Sequence, residues 1–322
     1  MSPTMNDDIL LQLAQAIKQT DYHFITVTPA THARVNRRAE NRWARTLNDV
    51  FGWSRPFHSD LFVDNKDLFD LMHRAQILVE IKDNNEENWR SSIRISSLDN
   101  ELFLHSAYPT SAADSVFFGP DTYRFSRAIR AVIDARPSTA PAVRRVVDIG
   151  CGAGPGAIML AKTYPNAEIL GVDINDTALR LTSINARLAN VNVIACHSDL
   201  LKDVQGDFDM IISNPPYLVD SSMRRYRHGG GSLGAELSVA IVNSACQRLT
   251  NGGTLLLYTG SAIMNGQDLF YEEVKNKLDN SGLCWTYEEV DPDVFGEELE
   301  TETYVHADRI AAVVLIATKN SV

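Results

Sequence analysis

The run Val146-Val147-Asp148-Ile149, followed by Gly150-Cys151-Gly152-Ala153-Gly154-Pro155-Gly156, constrains this chain more than any other segment. A short apolar strand stops at a glycine-rich turn, and residues 157–163 then read as the start of a helix. The alternation continues to the end. Strand patterns over 169–172, 191–195, 209–212, 254–258, 285–289 and 309–318 are separated by helical patterns near 176–188, 235–249 and 268–278. Such a series implies a parallel sheet with helices on both faces.

Upstream, the pattern differs. Residues 1–88 are expected to form a mostly helical domain, with helical spacing over Ile9–Lys18 and Leu61–Ile81. Between them, Arg34, Arg37, Arg38, Arg42, Arg45 and Arg55 stand against Glu40 and Asp49 alone, which reads as a solvated helix face ahead of a binding surface. Trp43, Phe51 and Trp53 are expected to pack this stretch onto the domain. Asp83–Asn88 reads as a polar hinge or loop. In residues 89–140, Ile93, Ile95, Leu102 and Leu104 alternate with polar residues around Asp99-Asn100, a hairpin signal. A connecting helix follows Gly119-Pro120, capped by Asp121 or Thr122, and residues 136–141 link it to a catalytic domain over 141–322.

Composition excludes several classes. With 44% hydrophobic and 22% charged residues, the chain is an ordinary soluble globular protein. A net charge of −11 argues against general affinity for nucleic acid. Cys151, Cys196, Cys246 and Cys284 are far apart and the eight histidines lack metal-ligand spacing, so a reduced, metal-free protein is expected. The N-terminus is unlike a signal peptide, and the apolar run Ile310–Ala317 is too short to span a membrane. The expected location is the cytoplasm.

The ends of the strands carry the chemistry. Gly150, Gly152 and Gly154 let a ligand approach the backbone after the first strand, and Asp173 ends the second, where a carboxylate can accept from ribose hydroxyls. Gly152, Gly154 and Ala157 also fit a dinucleotide fingerprint, which keeps a nicotinamide enzyme in play. Asp199, after the third strand, is suited to an adenine amine. The fourth strand ends in Asn214-Pro215-Pro216-Tyr217. Paired prolines lack N–H donors and have φ near −65°, so the chain leaves the sheet there. The Asn214 side-chain oxygen and the Pro215 carbonyl then form two fixed acceptors for an –NH2 group, with Tyr217 placed to stack on it. Hydride transfer has no use for such a clamp.

With these four sites in register, residues 115–320 resemble the class I S-adenosylmethionine-dependent methyltransferases. The resemblance implies a Rossmann-like seven-stranded sheet, parallel except for an antiparallel last strand. It implies that Asp148, Gly150, Cys151, Gly152 and Gly154 cradle S-adenosylmethionine, that Asp173 with Ile174 holds its ribose, and that Asp199 with Leu200 lies beside adenine. Asp121, Thr122 and Asn214 also fall at cofactor positions. Asn214-Pro215-Pro216-Tyr217 marks the branch that methylates planar nitrogens, with Asn214, Pro215 and Tyr217 as its catalytic residues. Within that branch the pattern is similar to the release-factor glutamine methyltransferases. Phe118–Tyr123 departs from that group's arginine-proline loop, and the N-terminal part is longer than the group's.

Three acceptors follow. One is a protein amide such as glutamine. Another is a small-molecule amine, in a class that includes enzymes attacking the cofactor's aminocarboxypropyl carbon with release of methylthioadenosine. The third, a nucleic-acid base, is disfavoured by charge. Arg224–Gly231 reads either as a lid hinged on its glycines or as a solvated loop. The acids from Glu288 to Asp308, including Asp291–Glu298, are expected to favour a cationic or amine-bearing substrate.

Overall fold

A computed structural model describes residues 5–83, 86–220 and 224–320. The N-terminal region holds helices α1 (Met5–Lys18), α2 (Pro29–Asn36) and α3 (Lys66–Arg74). Strands β1 (Phe57–His58), β2 (Leu78–Asp83) and β3 (Glu86–Ser91) pair in the order β1-β3-β2. α2 begins where the sequence supplies a cap: the Thr28 hydroxyl accepts from the Thr31 N–H at 3.2 Å, and Pro29 occupies the first turn.

The helix expected over Leu61–Ile81 is shorter in the structure. Asn65 caps it by accepting from the Leu68 N–H, and Gln76, at φ 57°, turns the chain out of helix. Leu78–Ile81 then pairs with β3. Of the hinge expected over Asp83–Asn88, Asp83 ends β2 and residues 86–88 lie in β3, while 84–85 lie outside the described residues. The arginine run is divided too. Arg34, Arg37, Arg38, Arg42 and Arg45 are exposed, but Arg55 is buried, pairs with Asp49 and donates to Asn36 Oδ1 at 2.9 Å.

A second hairpin, β4 (Ile93–Leu98) with β5 (Glu101–Ser106), turns at Asp99-Asn100, both at positive φ. α4 (Pro120–Ala135) starts after Gly119, whose N–H is accepted by the Thr122 hydroxyl. The remaining elements alternate: β6 (Arg145–Ile149), α5 (Pro155–Thr163), β7 (Glu168–Asp173), α6 (Asp176–Leu188), β8 (Ile194–His197) and β9 (Phe208–Ser213). Next come α7 (Glu236–Arg248), β10 (Leu249–Met264), the short β11 (Gln267–Asp268), α8 (Leu269–Asn280), β12 (Leu283–Asp291) and β13 (Arg309–Lys319). β8 starts three residues later than the expected strand at 191.

The main sheet runs β12-β13-β10-β9-β6-β7-β8, with β11 on the end of β10. β6 to β10 pair in parallel, and β13 enters antiparallel between β10 and β12. Both faces are buried, as a covered parallel sheet requires. Ile211 packs on one side with Val147, Leu170 and Leu257, while Ile212 packs on the other with Val146, Ile169 and Leu256.

Buried Asn185 of α6 joins the N-terminal hairpin to the glycine turn. It accepts from Leu104 N–H at 2.9 Å and donates to the carbonyls of Leu104 at 3.0 Å and Ala153 at 2.8 Å.

Candidate active site

Two cavities open at the carboxyl ends of the central parallel strands. The larger, about 170 Å3, is lined by Thr122, Asp148, Gly150, Cys151, Gly152, Asp173, Ile174, Asp199, Leu200, Asn214 and Pro215. Eleven of the residues expected from sequence thus meet at one place. Gly154 does not line it and packs instead on Thr182 of α6. The smaller cavity, about 70 Å3, is lined by Phe117, Asp121, Asn214, Pro215, Tyr217 and Phe295, among others. The Asn-Pro-Pro segment borders both.

The glycine turn leaves room for a ligand. Gly150 and Gly152 have φ of 70° and 56°, and a Cβ added at either would meet no atom within 4 Å. A side chain there would occupy the space beside Asp173 and carry left-handed strain. Asp173 Oδ2 accepts from the Gly152 N–H at 3.0 Å and Oδ1 from the Asn175 N–H at 2.9 Å. Burial raises the Asp173 carboxyl above its usual range, opposed by these backbone donors and by Arg225. Asp148 is 2% exposed, and its Oδ2 accepts from the Ala157 N–H at 2.9 Å. Burial pushes its carboxyl up to about 7. An open cradle of glycine backbone, lined also by the carboxyl groups of Asp148 and Asp173, fits a ligand carrying a ribose and a positive charge. Asp199 is exposed and pairs with Lys202, and it lines the cavity together with Ser198 and Leu200.

Asp121, expected at the cofactor, lies in the wall of the smaller cavity instead. Its Oδ2 accepts from Tyr217 Oη and its Oδ1 from Tyr258 Oη, each at 2.8 Å, with Arg124 at 3.0 Å. The Tyr217 ring is 7% exposed. Gly260 lies flat beneath it, where a Cβ would come within 2.2 Å of the ring, and Phe295 meets it edge-on at 5.9 Å.

Arg224–Gly231 does not lie free in solvent. Asp220 accepts from the Arg224 backbone and guanidinium, and Arg224 holds its carboxyl down to about 2. Tyr226 stacks on Phe117 at 5.9 Å and donates to the Thr110 carbonyl at 2.8 Å. Arg225 and Tyr226 line the larger cavity. Of the acids expected to shape the substrate side, Asp291 pairs with Arg124, Glu298 with Arg227 and Glu289 with Arg309. Sequence reasoning did not assign Phe117, Tyr226 or Phe295 to the site. Tyr226 follows the clamp closely in sequence, but Phe117 and Phe295 are far from it along the chain and only packing brings them there. Among the described residues no cluster of histidine, cysteine or acids is arranged to hold a metal, and no helix is long and apolar enough to cross a membrane.

A family model described as "Methyltransferase small domain" matches residues 129–277. A provisionally named protein N5-glutamine methyltransferase of Methanocaldococcus jannaschii is 36% identical over 144 residues, 43% of this chain and 70% of that one. A release factor glutamine methyltransferase of Rhodopirellula baltica is 34% identical over 127 residues, 35% of this chain and 43% of that one. A ribosomal protein uL3 glutamine methyltransferase of Neisseria meningitidis is 32% identical over 130 residues, 37% of this chain and 43% of that one. The chain thus spans less than half the length of the latter two. Among solved structures, Methanocaldococcus jannaschii TYW2 in complex with AdoMet superposes with a TM-score of 0.47 at 17% identity, over 72% of this chain and 87% of that one.

Proposed function

Since this chain belongs to the class I S-adenosylmethionine-dependent methyltransferases, on the branch that includes the release-factor glutamine methyltransferase-like group, we propose that it methylates a planar amide or amine nitrogen. The observation that carries this reading is the position of Asn214-Pro215-Pro216. It borders both the glycine-lined cavity and the small aromatic one, where cofactor and acceptor would meet.

Gly150, Gly152 and Asp173 would hold S-adenosylmethionine in the larger cavity, with Asp199 and Leu200 at its adenine end. When bound, it supplies an electrophilic methyl group on a sulfonium. A conjugated nitrogen is a poor nucleophile because its lone pair is delocalised. Asn214 Oδ1 and the Pro215 carbonyl accept from its two N–H groups, turn the lone pair out of conjugation and fix its direction. Such positioning supplies much of the rate. Tyr217, held by Asp121 and Gly260, gives the acceptor plane a rigid wall. No strong base is required for attack, since the proton leaves after the methyl arrives.

The glutamine side chains named for the relatives make a protein amide the first acceptor to test. A small-molecule amine is the second reading, favoured by the size of the acceptor cavity and by Tyr226 and Phe117 closing over it. Incubation with methyl-labelled cofactor and separate pools of protein, small metabolites, RNA and DNA decides between them. Label in protein or metabolites, insensitive to salt across roughly 50–200 mM, is expected; label in nucleic acid with a steep salt dependence would overturn the reading. Mass spectrometry of the nucleoside product distinguishes methyl transfer from release of methylthioadenosine.

A further inference from the structure

Phe295 holds a backbone conformation that its side chain does not favour. It lies between β12 and β13 at φ 55° and ψ 42°, the left-handed region, where a bulky aromatic residue is an outlier. The residue suited to that region stands one place on. Gly296 does not adopt a positive φ, and a Cβ there would meet only Asp293 Oδ1, at 3.7 Å.

The surrounding contacts keep this conformation in place. The Val294 N–H donates to the Ile310 carbonyl and the Glu298 N–H to the Phe295 carbonyl, both at 2.8 Å. Arg309 Nη1 donates to the Pro292 carbonyl at 2.9 Å. On either side, Asp291 pairs with Arg124 at 2.7 Å and Glu298 pairs with Arg227. Strained residues fixed from several directions cluster at ligand sites.

The ring is presented to the smaller cavity. It lines that space with Asn214, Pro215 and Tyr217, and it does not line the larger one. It meets the Tyr217 ring edge-on at 5.9 Å, and the Arg227 guanidinium lies 6.0 Å from its centre. Of the other aromatic walls, Phe117 and Tyr226 also line the larger cavity, and Tyr217 is buried on Asp121. Phe295 is half-buried, so its ring can change without opening the core or the glycine-lined cavity. The space it limits is about 70 Å3, against about 150 Å3 for a cavity that takes a benzene ring.

We propose that Phe295 is a specificity-determining residue that sets the size of the acceptor. With the ring in place, the smaller cavity takes a side-chain carboxamide at Asn214 and excludes an amine carried on a nucleobase ring. This inference rests on the reading of the smaller cavity as the acceptor site.

The test uses the full chain, saturated with methyl-labelled S-adenosylmethionine, and two acceptor probes. N-acetyl-L-glutamine methylamide carries a side-chain carboxamide, and cytidine carries an exocyclic amine on a ring. The wild type should label the carboxamide and not cytidine. In Phe295→Ala and Phe295→Gly the ratio of kcat/KM for carboxamide over cytidine should fall at least about tenfold, the scale on which pocket size discriminates. Phe295→Tyr should keep the wild-type preference, and calorimetry should find cofactor affinity within a few-fold in all three. Phe295→Gly also relieves the left-handed strain and should melt above Phe295→Ala, which guards against loss of fold. An unchanged ratio in either folded variant, or wild-type labelling of cytidine as fast as of the carboxamide, would overturn the role of Phe295 and leave the proposed reaction standing. A wild type that binds the cofactor and labels neither probe would overturn the acceptor reading, and this inference with it.

Discussion

The hydroxyl of Tyr217 donates a 2.8 Å hydrogen bond to Asp121 Oδ2, across 96 positions of sequence. Tyr258, from the neighbouring strand β10, donates to the other oxygen of the same carboxylate. Burial raises the Asp121 carboxyl, and the two hydroxyls with Arg124 oppose that rise. The aromatic end of the clamp is thus fixed by a buried acid on the first turn of α4, so loop and helix position the acceptor wall as one unit.

Tyr217→Phe keeps the ring and removes one donor from this buried carboxylate. Losing such a partner costs about 1–3 kcal/mol, which should appear as a lower melting temperature and a higher Asp121 pKa. Cofactor affinity measured by calorimetry should change little. A variant that melted and turned over like the wild type would show that the hydrogen bond fixes nothing.

Asn214→Ala removes one of the two acceptors proposed to engage the nitrogen. Turnover should fall by at least about 100-fold, the scale for loss of a positioned polar group. Cofactor affinity should stay within a few-fold. Steady-state kinetics with a matched binding titration separates the two.

Asp173→Ala should weaken S-adenosylmethionine by roughly 2–3 kcal/mol through loss of charge-assisted hydrogen bonds. The carboxylate also holds the Gly152 and Asn175 N–H groups, so the variant should melt lower as well. Tight NADH binding by the wild type, with none of S-adenosylmethionine, would sink the cofactor assignment altogether.

Asp148 predicts a pH dependence of stability. Its carboxyl titrates at about 7 in the folded chain against 3.8 ordinarily, because burial disfavours the charged form. Between those values the native state holds a proton that the unfolded chain releases. Its contribution to stability is therefore full below pH 4 and declines as pH rises toward 7. Denaturant titrations in the absence of cofactor should show this slope, and Asp148→Asn should flatten it.

What could be read directly from residue order was local and stereochemical. Glycines at 150 and 152 adopt positive φ, the prolines at 215 and 216 end a strand, and the near-continuous apolar runs of β6, β7, β9 and β10 specify strands buried on both faces. Those features rest on neighbours a few positions apart, so they held. At Leu78–Ile81 apolar spacing alone does not decide between the helical and strand periods, and pairing with β3 makes the stretch a strand. Only the tertiary structure put Tyr217 and Tyr258 on Asp121, laid Tyr226 on Phe117, paired Asp291 with Arg124 and Glu298 with Arg227, and left Arg94 Nη2 without a hydrogen-bond partner among the described residues. Each depends on which groups share a buried, low-dielectric space after the chain has folded. Position in the sequence carries no record of that distance.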